Sequence, residues 1–160
     1  MNNKPMPNRV VRGHKVLNFE NYCAYYLQAI ATAMSNQASS LFISQLGIGI
    51  VEWRCLSVLA QEEDVSAARI CELSNMSRPL VSRALKQLHS KGLVKNAKKK
   101  APGKTQPLSI TPKGYSAHDA ALTISLDREK NLRTGLSEDE IRDFLRIAKI
   151  MLRNVRCPAD

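Results

Sequence analysis

Ser77-Arg78-Pro79-Leu80-Val81-Ser82-Arg83-Ala84-Leu85-Lys86-Gln87-Leu88-His89-Ser90-Lys91-Gly92 is the stretch on which the reading of this chain turns. Ser77 is placed to cap a helix, Pro79 falls in the first turn where its missing N–H has no partner to lose, and Gly92 ends the helix. Successive residues advance by roughly 100° around a helix. Val81, Ala84, Leu85 and Leu88 therefore gather on one arc, and Arg78, Pro79, Ser82, Arg83 and Lys86 on another. The first arc can pack on a scaffold. The second holds only groups able to touch bases or phosphates, with no acid among them.

The flanks extend the pattern. Ile50 to Gln61 carries apolar residues at helical spacing and stops at the acidic loop Glu62-Glu63-Asp64, and Ser66 can cap a short helix bearing Ala67, Ile70 and Leu73. After Gly92, Leu93–Lys98 and Gln106–Ile110 read as two extended segments around the turn pair Pro102-Gly103. Two short helices followed by a lysine-rich hairpin describe a winged helix-turn-helix, whose second short helix enters the major groove with its N-terminal residues nearest the base edges. Arg78 is then the candidate for a bidentate contact with guanine.

Charge placement supports this. The chain has 160 residues and a formal net charge of +10. From Leu73 to His118 there is no Asp or Glu, while Arg78, Arg83, Lys86, Lys91, Lys95, Lys98, Lys99, Lys100, Lys104 and Lys113 supply ten positive charges. Elsewhere 14 basic residues face 14 acidic ones, so this one stretch carries the whole excess. A solvated lysine-rich surface would account for the charge alone. It would not account for an acid-free helix face next to a basic hairpin, which fits double-stranded DNA. A module binding RNA would want stacking aromatics on that surface, and the stretch has only Tyr115. A module binding a protein would need no acid-free face.

Around this lobe lie longer helices. Phe19, Tyr22, Tyr26, Ile30 and Met34 recur at three- and four-residue spacing, predicting a helix from about Asn18 to Leu46. The uncharged run Asn21 to Val51 is long enough to span a bilayer, but it is interrupted by polar residues and reads as a buried helix. Thr111-Pro112 starts a helix running to about Arg133. Ser137 and Glu140 form a capping box for a last helix whose Ile141, Phe144, Leu145, Ala148, Met151, Leu152 and Val155 share one face. These apolar faces exceed what one small lobe can cover, which predicts a partner chain. Residues 1–17 lack periodic apolar positions and read as a basic, mobile arm. Nothing there resembles a secretory signal, and four cysteines without a C-x-x-C pair are expected as thiols in a reducing cytoplasm. The fold class is mostly α with a small β wing, a single domain over 18–160 with its winged helix-turn-helix lobe at 50–111.

The order Glu52-Trp53-Arg54-Cys55-Leu56, the stretch from Ser77 to Leu85, then Lys91-Gly92-Leu93-Val94 and Leu108-Ser109-Ile110-Thr111-Pro112-Lys113-Gly114 resembles the multiple-antibiotic-resistance regulator (MarR) family. The resemblance covers nearly all of the chain after the arm. It implies a homodimeric transcriptional regulator, usually a repressor, with residues 18–46 and 112–157 forming the dimerisation helices. It also implies a small, often aromatic or anionic effector, for which His14, Tyr25, Trp53 and Arg54 are candidates. A branch of the family senses hydroperoxides through a first-helix cysteine bonded to tyrosines, which makes Cys23, beside Tyr22, Tyr25 and Tyr26, the candidate for a thiol-based alternative. One departure is visible: the family's wing carries Asp-x-Arg where this chain has Pro102-Gly103-Lys104. The DNA contacts expected are Ser77, Arg78, Pro79, Ser82, Arg83 and Lys86 from the helix, and Lys98, Lys99, Lys100 and Lys104 from the wing. No metal, cofactor or enzyme motif is present in the sequence.

Overall fold

The computed structural model describes residues 6–97 and 106–157. The wing tip around Pro102-Gly103, with Lys98, Lys99, Lys100 and Lys104, lies outside the described residues. The elements run β1 (Asn8–Val11), β2 (His14–Leu17), a short 3-10 turn (Phe19–Asn21), α1 (Cys23–Leu46), α2 (Ile50–Leu59), α3 (Ala67–Ser74), α4 (Arg78–Ser90), β3 (Val94–Asn96), β4 (Leu108–Ile110), α5 (Pro112–Leu132) and α6 (Glu138–Arg156). The chain divides into two compact units, Met1–His118 and Asp119–Asp160.

In the first unit α2 is the centre, packing against α1, α3, α4 and β4. Cys55 and Leu56 of α2, Phe42 of α1, Ile70 of α3 and Val81 and Leu88 of α4 are buried at 0% exposure. Removing one such leucine from water contributes about 1.5–3 kcal/mol, so the apolar arc of α4 anchors it firmly. Trp53 is sandwiched between the rings of Phe42 at 6.0 Å and His118 at 5.1 Å.

The wing is stitched to the lobe from behind. β3 and β4 pair antiparallel, Val94 opposite Ile110, and Val65 exchanges both backbone hydrogen bonds with Leu108. Ser109 Oγ donates to Asp64 Oδ1 at 2.9 Å. Thr111 Oγ1 accepts from the Gly114 N–H, capping α5, and donates to the Gly92 carbonyl at 2.8 Å. These bonds tie the base of the wing to the lobe and to the start of α5.

Two expectations need correcting. Residues 8–17, read as part of an aperiodic arm, form the β1–β2 hairpin, turned by Arg12 (φ 51°) and Gly13 (φ 79°) in the left-handed region. Val10, Val11 and Val16 supply the β-branched residues, and both strands are exposed. The Asn21–Val51 run, read as a buried helix, forms α1, of which only Ala38 and Phe42 are buried within this chain. Tyr25, Tyr26, Leu27, Ile30 and Ile43 of this helix are exposed. Among the described residues no single helix is long and apolar enough to cross a membrane.

In the second unit the predicted box at the start of α6 is present: Ser137 Oγ accepts from the Glu140 N–H, and the Glu140 carboxylate accepts from the Ser137 N–H at 2.8 Å. The Ser137 N–H foremost, and then the Ser137 hydroxyl, which donates to Glu140 Oε2 at 2.8 Å, hold Glu140 below the usual carboxylate range. Phe144, Leu145, Ile147, Leu152 and Val155 of α6 are exposed in this chain.

Candidate nucleic-acid interface

The approach to α4 is set by short-range chemistry. Ser66 caps α3 by accepting from the Arg69 N–H. The Arg69 guanidinium bonds Glu62 at 2.8 Å and Glu72 at 3.1 Å, tying the acidic loop to α3. The Arg69 hydrogen bond holds the Glu62 carboxyl below its ordinary value. Asn75 closes α3 at φ 53°, one of the few non-glycine types that enter the left-handed region readily. Met76 is buried, and Ser77 stands as the N-cap of α4. Ser77 makes no capping bond with its hydroxyl, contrary to the expectation for that side chain.

On α4 the two faces separate as the sequence predicts. Val81, Ala84, Leu85 and Leu88 are buried. Ser77, Arg78, Pro79, Ser82, Arg83 and Lys86 are all exposed. Arg78, Arg83 and Lys86 form no ion pair with any described residue, and no acid stands in the first turn of α4. Positive side chains and the N-terminal N–H groups therefore present one sign of potential to solvent, as an anion-binding surface requires. Arg78 and Ser82 border a hollow of about 320 Å³ shared with Ala67, Ala68 and Cys71 of α3. Arg83 borders another, of about 250 Å³, with Leu80, Gln87 and residues 49–52. Leu80 and Gln87 are exposed groups on this side that the sequence reading passed over.

Not every base of the acid-free stretch is available. Lys91 Nζ pairs with buried Glu52 at 2.6 Å, and Lys113 Nζ donates to the Lys91 carbonyl at 2.9 Å. The carboxylate of Glu52 also reaches back to the Gly49 N–H at the start of α2, and the spacing Gly49-x-x-Glu52 is the signal that could have exposed this.

The four ligand candidates are dispersed. Trp53 is buried in its ring stack, whereas Arg54 is exposed. Tyr25 meets Phe19 at a tilt and Tyr26 edge-on, each at 5.3 Å between ring centres, and lines an open apolar hollow of about 420 Å³ with Phe19, Tyr22, Ala24, Gln28 and Ala29. His14 sits in β2 opposite Val11. Cys23 is exposed at the first position of α1 and makes no hydrogen bond with a described tyrosine. Cys55 is the reverse case: burial first, then the neighbouring Cys71 and Glu52, pushes its thiol up to about 12.

Residues 46–101, which span α2 to the start of the wing, match the model of the MarR family. The chain is 21% identical over 123 residues to the HTH-type transcriptional repressor Rv2887 of Mycobacterium tuberculosis, covering 77% of this chain and 88% of that one. Among solved structures it superposes on a MarR/EmrR family transcriptional regulator from Acinetobacter sp. ADP1 with a TM-score of 0.80 at 24% identity, over 88% of this chain and 99% of the other. It superposes on MepR of S. aureus, solved in complex with DNA, with a TM-score of 0.75 at 22% identity, over 85% and 98% of the two chains. At these identities the solved structures establish a shared fold.

Proposed function

We propose, from its place in the MarR family, that this chain is a transcriptional regulator that reads duplex DNA through α4 as a homodimer on a palindromic operator, and that it acts as a repressor released by a small ligand. The observation that carries the reading is the exposed face of α4, where every charged group is positive and none is paired with a described residue. The related mycobacterial protein is named a repressor, and MepR is titled as a DNA complex. The homodimer is supported by the exposed apolar side chains of α1 and, separately, of α6, a combination that monomers rarely leave uncovered. The four free thiols accord with a reducing cytoplasm.

In such a dimer two copies of α4 meet major grooves one helical turn apart, roughly 34 Å. A ligand that releases DNA must bind the dimer spacing that cannot dock more tightly than the one that can. Reciprocity then makes operator DNA weaken the ligand by the same factor. The test is selection of duplexes from a randomised pool, followed by footprinting and sedimentation. Two related half-sites one turn apart, bound by two chains, is the expected result. An unbiased pool, or a monomer at micromolar concentration, contradicts it.

A further inference from the structure

Lys91 follows the reading helix directly and is one of the ten bases of the acid-free stretch. Its ammonium is aimed elsewhere. Nζ lies 2.6 Å from Glu52 Oε1 and 2.8 Å from the Gly47 carbonyl oxygen, while Glu52 Oε2 accepts the Gly49 N–H at 2.6 Å. The Glu52 side chain is 6% exposed, that of Lys91 37%. Glu52 is the buried charged residue of the described chain, and a carboxylate at that depth is tolerated only when paired and hydrogen-bonded, as this one is.

The pair joins two helix ends. Glu52 belongs to the first turn of α2. Lys91 is the C-cap of α4, its N–H bonded to the Gln87 carbonyl and its own carbonyl accepting from Lys113 in the first turn of α5. The apolar face of α4 resists lifting off the lobe, but hydrophobic contact is non-directional and resists sliding along the helix axis less. Short charge-assisted hydrogen bonds to fixed atoms are directional. A helix carries a displacement at one end to the other, here over about 20 Å from Lys91 to Arg78. A slip of about 1 Å there would break a bidentate contact with a base edge, whose donor and acceptor tolerate only a few tenths of an ångström.

We propose that Glu52 and Lys91 are positioning residues for DNA reading: their pair fixes the axial position of α4, hence where Arg78 and Ser82 meet the bases, and Lys91 touches no phosphate. This rests on the DNA-reading function proposed above and adds to it the residues that aim the helix.

The experiment compares the full-length protein with Lys91→Met and Glu52→Gln. Each is titrated with a 30-base-pair duplex enriched by the unaltered protein and with a scrambled duplex, over a range of salt. For Lys91→Met, preference for the enriched duplex should fall about tenfold, the order of one misaligned base contact, and the slope of log affinity against log salt should stay unchanged. Glu52→Gln should lose preference similarly while binding scrambled DNA no more weakly, although it removes no base. The double variant Glu52→Leu with Lys91→Met leaves no buried charge, so it tests the idea in a folded lobe if a single variant melts. It too should have lost preference. A slope reduced by about 0.9 in Lys91→Met would make Lys91 a phosphate contact and overturn the proposal. Retained preference in the variants that fold would reduce the pair to a stabilising contact and overturn it as well. Failure of the unaltered protein to enrich any duplex overturns the functional reading itself, a result distinct from both.

Discussion

Gly114→Ala sets two effects of opposite sign against each other. Gly114 lies in the first turn of α5, and alanine in a helix is favoured over glycine by about 1 kcal/mol. A Cβ built there, however, would overlap the Leu93 carbonyl oxygen outright and lie 2.7 Å from Ile110 Cγ1 and 3.0 Å from the Leu93 carbonyl carbon. Two of these atoms are backbone and cannot swing aside. The Leu93 carbonyl also accepts from the Thr111 N–H at 3.0 Å. Moving it strains a hydrogen bond worth about 0.5–1.5 kcal/mol, on top of about 1–3 kcal/mol for overpacking. The clash should win, leaving a net loss of about 1–3 kcal/mol. Urea unfolding followed by circular dichroism measures it, and duplex binding should weaken too because the base of the wing is pushed from α5. Stability unchanged or raised would refute the close approach of helix and strand.

Arg78→Ala should cost about 1–3 kcal/mol on the preferred operator and relax base preference at one position per half-site, whereas Lys99→Ala in the wing should weaken all sequences alike; competition binding with single-base variants reads both. Cys55, with its thiol pushed up to about 12, should resist iodoacetamide at pH 8 in the folded protein while exposed Cys23 and Cys157 are labelled, as mass spectrometry would show. Rapid labelling of Cys55 would contradict its burial. Glu62 titrates below its ordinary value of 4.5 because of Arg69, so its contribution to stability is present above that value and lost as the pH falls through the lower, folded value. Glu62→Gln should therefore be less stable than the unaltered protein at pH 7, with the difference vanishing in acid, when urea midpoints are compared at both.

Features carried by a single local segment were legible in the sequence. The faces of α4, the cap at Ser66, the Ser137–Glu140 box and the start of α5 at Thr111-Pro112 all follow from residues within one or two turns of each other. The β1–β2 hairpin was missed because its strands are four residues each, too short for alternation to register, and only Gly13 marks the turn. The apolar face of α1 was legible too, but hydrophobicity does not say which of its residues the lobe itself covers, here Ala38 and Phe42. Glu52 and Lys91 are 39 residues apart, and Asp64 and Ser109 are 45 apart, so neither pairing leaves a local trace. Lys91 shows the consequence: counted by sequence it is one of ten bases facing a polyanion, and in the fold its ammonium is paired with Glu52 and the Gly47 carbonyl. The hollow beside Tyr25 depended on the 3-10 turn at Phe19–Asn21, which falls inside what periodicity reads as continuous helix.

The most direct test of the account is the salt dependence of duplex binding by the unaltered protein and by Arg83→Ala and Lys86→Ala. The reading of α4 as the DNA-contacting face predicts that log affinity falls linearly with log salt. It also predicts that each substitution shallows the slope by about 0.9 where the side chain had neutralised a phosphate. Binding indifferent to salt, or slopes identical in all three proteins, would contradict it.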